Sequence, residues 1–185
     1  MDKNLLEESS LVLSEAECLF NEQQIEVAID SMANQITQKL STKNPLLLPV
    51  MIGGVLLAGK LIAKLQFPCQ IDYIHATRYR SGISGHELHW KKRPDKEIAN
   101  QTILLIDDIL DEGITLAAIK EDCIKTGASE VYTAVLADKE INKPRPIANA
   151  DFTGLKVPDR YVFGYGMDYK EFHRNVNGIY AVKSL

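Results

Sequence analysis

Residues 101–117, QTILLIDDILDEGITLA, limit what this chain can fold into more than any other stretch. The apolar run at 103–106 is short and unbroken, the form of a strand buried on both faces of a helix-covered parallel sheet. Two adjacent carboxylates follow, Asp107 and Asp108, and then Asp111, Glu112, Gly113, Ile114 and Thr115 ahead of a helical pattern from Leu116. In open parallel sheets ligands bind beyond the C-terminal strand ends, which is where these groups fall. Two neighbouring charges add little to a fold's stability there. The stretch points to a phosphorylated sugar held with a divalent metal.

The local chemistry supports that reading. Gly113 can take backbone angles that other residues avoid. The amides around Asp111, Glu112, Gly113, Ile114 and Thr115 can then converge on one anion, with the Thr115 hydroxyl and the positive end of the next helix. Carboxylates at Asp107 and Asp108 suit ribose hydroxyls or hydrated Mg2+, a hard cation that prefers oxygen. On a continuing strand the two would face opposite ways and share no proton. The plain alternative is a solvated strand-to-helix turn with Thr115 as cap.

Elsewhere the chain alternates strands and helices, an α/β pattern with a mainly parallel central sheet. Helical spacing over about 14–41 predicts an N-terminal helix, with Ser14 and Glu17 placed as a capping box. A core spans about 46–138, with strands at 46–51, 70–75, 103–106 and 131–137 and helices at 55–65 and 116–125. Gly53 and Gly54 make the first strand-to-helix turn. Two polar stretches interrupt the alternation, one over about 77–100 and one at 139–158 with Pro144, Pro146 and Pro158. At 185 residues these attachments belong to one domain.

A net charge of −4 disfavours a nucleic-acid partner, although Lys91-Lys92-Arg93 is a local basic run. The longest uncharged run, 44–59, is too short and too rich in Pro and Gly to span a membrane. Cys18, Cys69 and Cys123 lie far apart, as reduced thiols of a cytoplasmic protein do. His86 and His89 read as part of a solvated hairpin rather than a metal site.

The strand, acidic pair and Gly-Thr loop at 103–115 resemble the phosphoribosyl-pyrophosphate motif of type I phosphoribosyltransferases. Residues 161–169, YVFGYGMDY, followed by Arg174, resemble the base-binding segment of the hypoxanthine-guanine members. The resemblance covers about 46–182 and implies the family's fold: a parallel sheet flanked by helices, a small hood and a mobile loop. It implies transfer of a phosphoribosyl group from phosphoribosyl pyrophosphate to a purine base, with Mg2+, in a homodimer or homotetramer. Asp107 and Asp108 would hold ribose and metal. Glu112, Gly113, Ile114 and Thr115 would cup the 5′-phosphate, and Asp111 would exchange a proton at purine N7.

Lys139 falls where the family places its 6-oxopurine lysine. An ammonium donates only, so it would favour a 6-oxo group over adenine's 6-amino group. Tyr161 would stack on the base and Val162 would present its backbone to the base edge. Asp168 would lie near metal and pyrophosphate, and Arg174 would counter the pyrophosphate charge. Residues 139–185 would thus form the base-binding segment. Gly53 resembles part of the pyrophosphate loop in a backbone role, although Ile52 stands where the family commonly has Lys. Glu112 likewise replaces a common Thr, and Arg78 a common Ser beside Tyr79 in the lid.

Two other readings compete. A phosphoribosyl-pyrophosphate-sensing regulator on the same fold would need a basic face, and residues 1–45 are acid-rich. A signalling receiver domain would leave the loop at 113–115 without a use.

Overall fold

The strand begun at 103–106 runs on through both aspartates. The computed structural model describes residues 3–78 and 88–183. In chain order its elements are α1 (Lys3–Glu15), β1 (Glu17–Asn21), α2 (Glu22–Leu40), β2 (Leu46–Pro49), α3 (Val55–Lys64), β3 (Gln70–Ile71), β4 (His75–Arg78), β5 (Leu88–Lys92), β6 (Thr102–Leu110), α4 (Ile114–Lys125), β7 (Glu130–Glu140), β8 (Phe152–Pro158), β9 (Val162–Phe163) and β10 (Gly178–Ala181).

Five strands form one sheet in the order β3-β2-β6-β7-β8, with every pairing parallel. Side chains alternate across it. Leu47, Leu104 and Ile106 pack with Ile25, Ile29, Met32 and Ile36 of α2 and Leu57 and Leu61 of α3. Leu46, Leu48, Ile103 and Leu105 pack on the other face with Leu116, Ile119 and Cys123 of α4 and Ala76 of β4. Burial on both faces is why β2 and β6 read as unbroken apolar runs. Strands β4 and β5 form a separate antiparallel hairpin, which meets the expected hairpin strand near Trp90. The expected α/β architecture is thus present, and β1, β10 and β9 form a small antiparallel hood beside the sheet.

Four details differ from the sequence pattern. The helix expected over 14–41 is broken. Its apolar stripe from Ile25 to Leu40 is buried as α2, but 17–21 leave the helix and pair with β10. Phe20 and its neighbours find an open hood edge, and that tertiary pairing overrides helical spacing. Ser14 is no cap, since its Oγ donates to Leu11 O at 2.8 Å inside α1. The capping box is instead Asn21 with Gln24, closed by two hydrogen bonds of 3.0 Å.

The strand expected at 70–75 is only two residues long, with a further bridge at Ile74, and His75 opens the hairpin. The stretch 139–158 is not irregular throughout. Lys139 lies within β7 rather than after it, and β8 adds a parallel edge strand. Residues 152–158, FTGLKVP, lack clean alternation because an edge strand contacts water, and Pro158 is tolerated at its end. Among the described residues no helix is long and apolar enough to cross a membrane.

Candidate active site

Strand β6 delivers the acidic pair while still hydrogen-bonded to β7, with Asp107 opposite Val135 and Ile109 opposite Ala137. Both carboxylates fold back on the strand. Asp107 Oδ1 accepts from the Asp108 amide at 2.9 Å, and Asp108 Oδ1 from the Ile109 amide at 2.8 Å. Burial pushes the Asp107 carboxyl well above the usual carboxylate range, and the Asp108 charge adds to the shift. Burial also raises Asp108, opposed by a hydrogen bond with Asp107 and by the Arg174 charge.

The two carboxyls therefore influence each other's ionisation although they are adjacent on a continuing strand. Both shifts are toward the neutral form, so the stability that goes with them is present at low pH. It is lost as pH rises through their raised values.

Two segments close on Asp108, which is 8% exposed. A Cβ on Gly53 would lie 2.1 Å from Asp108 Oδ2, and one on Gly166 would lie 2.3 Å from Gly53 O. The turn at 51–54, which includes a cis Met51–Ile52 peptide, thus packs directly against the carboxylate. Met51 is anchored by its amide donating to Ile74 O at 2.7 Å.

Further along the chain, Gly113 takes φ +71° as the residue preceding α4 and supplies no side-chain cap. The first-turn amides of α4, Thr115 among them, are consequently open to an anion. Thr115 itself lies inside the helix, one residue after its start, rather than at the capping position.

Charged side chains line the rest of the cleft in pairs. Lys139 is 9% exposed, and its Nζ donates to Asp111 Oδ2 at 2.6 Å. Lys143 Nζ donates to Glu112 Oε1 at 2.9 Å, so the unexpected acid beside the anion loop has a counter-ion. Arg174 Nη2 meets Asp168 Oδ1 at 2.6 Å, and Nη1 donates to Gly166 O at 2.7 Å. The Glu171 amide donates to the second Asp168 oxygen at 2.8 Å.

The loop carrying Asp168 has left-handed backbone at Tyr165, Lys170, Glu171 and His173. It is braced from outside by α1, where Glu8 accepts from Tyr169 Oη at 2.6 Å. His173 Nε2 lies 2.7 Å from Ser9 O. Tyr161 is 52% exposed, with its hydroxyl donating to Asp168 O at 3.3 Å. Val162 is buried.

These groups surround a cleft of about 690 Å3 lined by every site residue expected from the sequence except Arg78 and Tyr79. Arg78 ends β4, and Tyr79 lies outside the described residues, as does the rest of 79–87 within the lid expected over about 77–100. Such a cleft offers an anion cup, an acidic pair and an acid–lysine pair within reach of one ligand.

Residues 15–171 match the family model described as a phosphoribosyl transferase domain. The chain belongs to this family. The phosphoribosyltransferase is 31% identical to the hypoxanthine-guanine phosphoribosyltransferase of Streptococcus mutans over 166 residues, which cover 89% of this chain and 92% of that protein. It is 30% identical to the corresponding Bacillus subtilis protein with the same coverage. A crystal structure of a hypoxanthine phosphoribosyltransferase from Staphylococcus aureus superposes with a TM-score of 0.84 at 28% identity, covering 90% of this chain and 91% of that one.

One important residue of this phosphoribosyltransferase escapes the sequence reading. Arg145 sits in a proline-flanked stretch that reads as loop, yet its side chain is only 9% exposed. Its Nη1 donates to the carbonyls of Leu110, Asp111 and Lys139 at 3.1–3.2 Å, and Nη2 pairs with the buried Asp138. Nε and Nη2 both reach Ala148 O. The guanidinium ties the ends of β6 and β7 together beneath the Asp111–Lys139 pair. Only the planar five-donor group of an arginine serves so many acceptors at once.

Proposed function

We propose that the protein transfers the 5-phosphoribosyl group of phosphoribosyl pyrophosphate to N9 of a 6-oxopurine, releasing pyrophosphate and forming IMP or GMP in purine salvage. The acceptor is hypoxanthine or guanine, with xanthine a third candidate. The observation that carries this reading is the 2.6 Å pairing of Lys139 with Asp111 in the phosphate-cup cleft. O6 and N7 are neighbours on the purine edge. A lysine at O6 and a carboxylate at N7 must therefore stand side by side.

In this reading Tyr161 stacks on the base and the Val162 backbone meets its edge. The first turn of α4 holds the 5′-phosphate through Gly113, Ile114 and Thr115 amides, with Glu112 contributing its backbone. Asp107 and Asp108 take the ribose hydroxyls. Arg174 and the Gly53 backbone address pyrophosphate. As N9 attacks, Asp111 accepts the proton carried on the purine, and nearby carboxylates favour the cationic sugar.

The donor set also fits Mg2+. The acidic pair offers hard oxygens, which suit a cation that keeps waters and substrate phosphates in its shell. Asp107, Asp108 and Asp168 would hold it. When bound, Mg2+ neutralises charge on the departing pyrophosphate. A cytoplasmic location and a homodimer or homotetramer complete the proposal.

Initial rates with the four common purine bases test it. Hypoxanthine and guanine should be converted, and adenine at least about 100-fold more slowly, because its 6-amino group leaves Lys139 facing a donor. Conversion of adenine alone would overturn the Lys139 assignment. A second test follows from the acidic pair. In alkaline buffer without ligand, Asp107→Asn should melt higher than wild type, because it removes a buried charge that its neighbour opposes. Equal melting at alkaline pH would argue against the coupling.

A further inference from the structure

The basic run Lys91-Lys92-Arg93 has no place in the site described so far. Two of its members have structural partners. Lys92 pairs with Asp95 and sits 5.7 Å from the Tyr73 ring centre. Arg93 Nη1 donates to Asp122 Oδ2 at 2.7 Å, and its guanidinium lies 4.1 Å from the Trp90 ring centre.

Lys91 is different. Strands β4 and β5 keep one register from Arg78↔Leu88 through Ala76↔Trp90, and the next pair is His75↔Lys92. Lys91 is the extra residue of a β-bulge, a device that re-aims a side chain beside a site. It lines the cleft together with Met51, Ile52, Gly53, His75 and Thr77. Its charge reaches His75, whose pKa is lowered first by burial and then by Lys91.

The charges of the cleft give this position a purpose. Lys139, Lys143 and Arg174 are committed to Asp111, Glu112 and Asp168. Among the described residues Lys91 has no carboxylate partner. The turn at 51–54, MIGG, supplies backbone amides and no charge. A pyrophosphate group carries several negative charges, and beside Arg174 and Mg2+ a cation on the side of this turn would complete their compensation.

We infer that Lys91 is a substrate-binding residue that holds the pyrophosphate group of phosphoribosyl pyrophosphate against the turn at 51–54. This role rests on the transferase reaction proposed above. The long flexible stem of lysine suits a cation that must follow a departing group.

Steady-state kinetics on the full-length enzyme, with Lys91→Gln and Lys91→Arg, test the role. Lys91 is exposed, so the substitutions spare the fold. Lys91→Gln should raise KM for phosphoribosyl pyrophosphate about tenfold or more, the loss expected for one charge-assisted hydrogen bond. The inhibition constant of inorganic pyrophosphate should rise in parallel, with the purine KM held within about twofold. Lys91→Arg should recover most of both losses. Donor KM and pyrophosphate inhibition both within about twofold of wild type would overturn the assignment, as would a shift confined to the purine KM. An active enzyme indifferent to Lys91→Gln overturns this role alone. A wild type that makes no nucleotide from any purine overturns the reaction and this role together.

Discussion

Asp111→Asn should lower kcat by about 10²–10⁴, the usual contribution of a positioned acid or base, with the KM for phosphoribosyl pyrophosphate shifted by less than about threefold. Asparagine keeps the size of the side chain and an oxygen that can accept from Lys139, which now donates to Asp111 Oδ2. It cannot take a proton. The loss should therefore appear in turnover rather than in donor binding, because the ribose and phosphate contacts assigned to Asp107, Asp108 and the α4 amides stay in place. Burst kinetics would separate the chemical step from product release. Wild-type turnover in this variant would remove Asp111 from the proposed mechanism. A donor KM that rises as steeply as kcat falls would recast it as a binding group.

Replacing Arg145 by Met should cost about 3–5 kcal/mol, the range for breaking a buried ion pair from one side. For a chain of this size that is a fall in Tm of roughly 6–20 °C. The cost arises from what remains. Asp138 is 4% exposed and would keep its charge without a counter-ion, while the carbonyls of Leu110, Asp111 and Lys139 would lose a shared donor. The double variant Arg145→Met/Asp138→Leu should recover a large part of the loss, since removing both members of a buried pair is far cheaper than orphaning one. Thermal melts of the three proteins decide it. A single variant melting with wild type would mean that the clamp carries little energy. Recovered stability with depressed kcat in the double variant would separate its support of the fold from its alignment of Asp111 and Lys139.

The strand pattern made much of this arrangement readable in advance. The run at 103–106 marked a strand buried on both faces, and helices α2 and α3 lie over one of those faces as their apolar spacing indicated. The acidic pair, the Gly113 loop, Lys139 and Tyr161 meet in one cleft because a parallel sheet gathers its C-terminal ends. Long-range pairing was less legible. Residues 17–21 carry helical spacing, and only a partner at the far end of the chain turns them into a strand. Arg145 sits among prolines, where exposure is the usual outcome, and its burial depends on carbonyls contributed by two separate strands. The raised Asp107 and Asp108 carboxyls follow from burying both groups side by side, a detail that strand alternation does not encode.

The hood joins Glu17 to Ala181 and Asn21 to Gly178, nearly opposite ends of the chain. That connection orders events during synthesis. The sheet through β7, with the acidic pair and the loop ahead of α4, can assemble before β10 has been made. β1 meanwhile waits with its edge unpaired, because its partner β10 is made after every strand of the parallel sheet. Tyr161 precedes β9, and Asp168 and Arg174 lie between β9 and β10, so the pairing of these two strands frames all three. A nascent chain therefore builds the acidic pair and the loop ahead of α4 before the segment that carries Tyr161, Asp168 and Arg174.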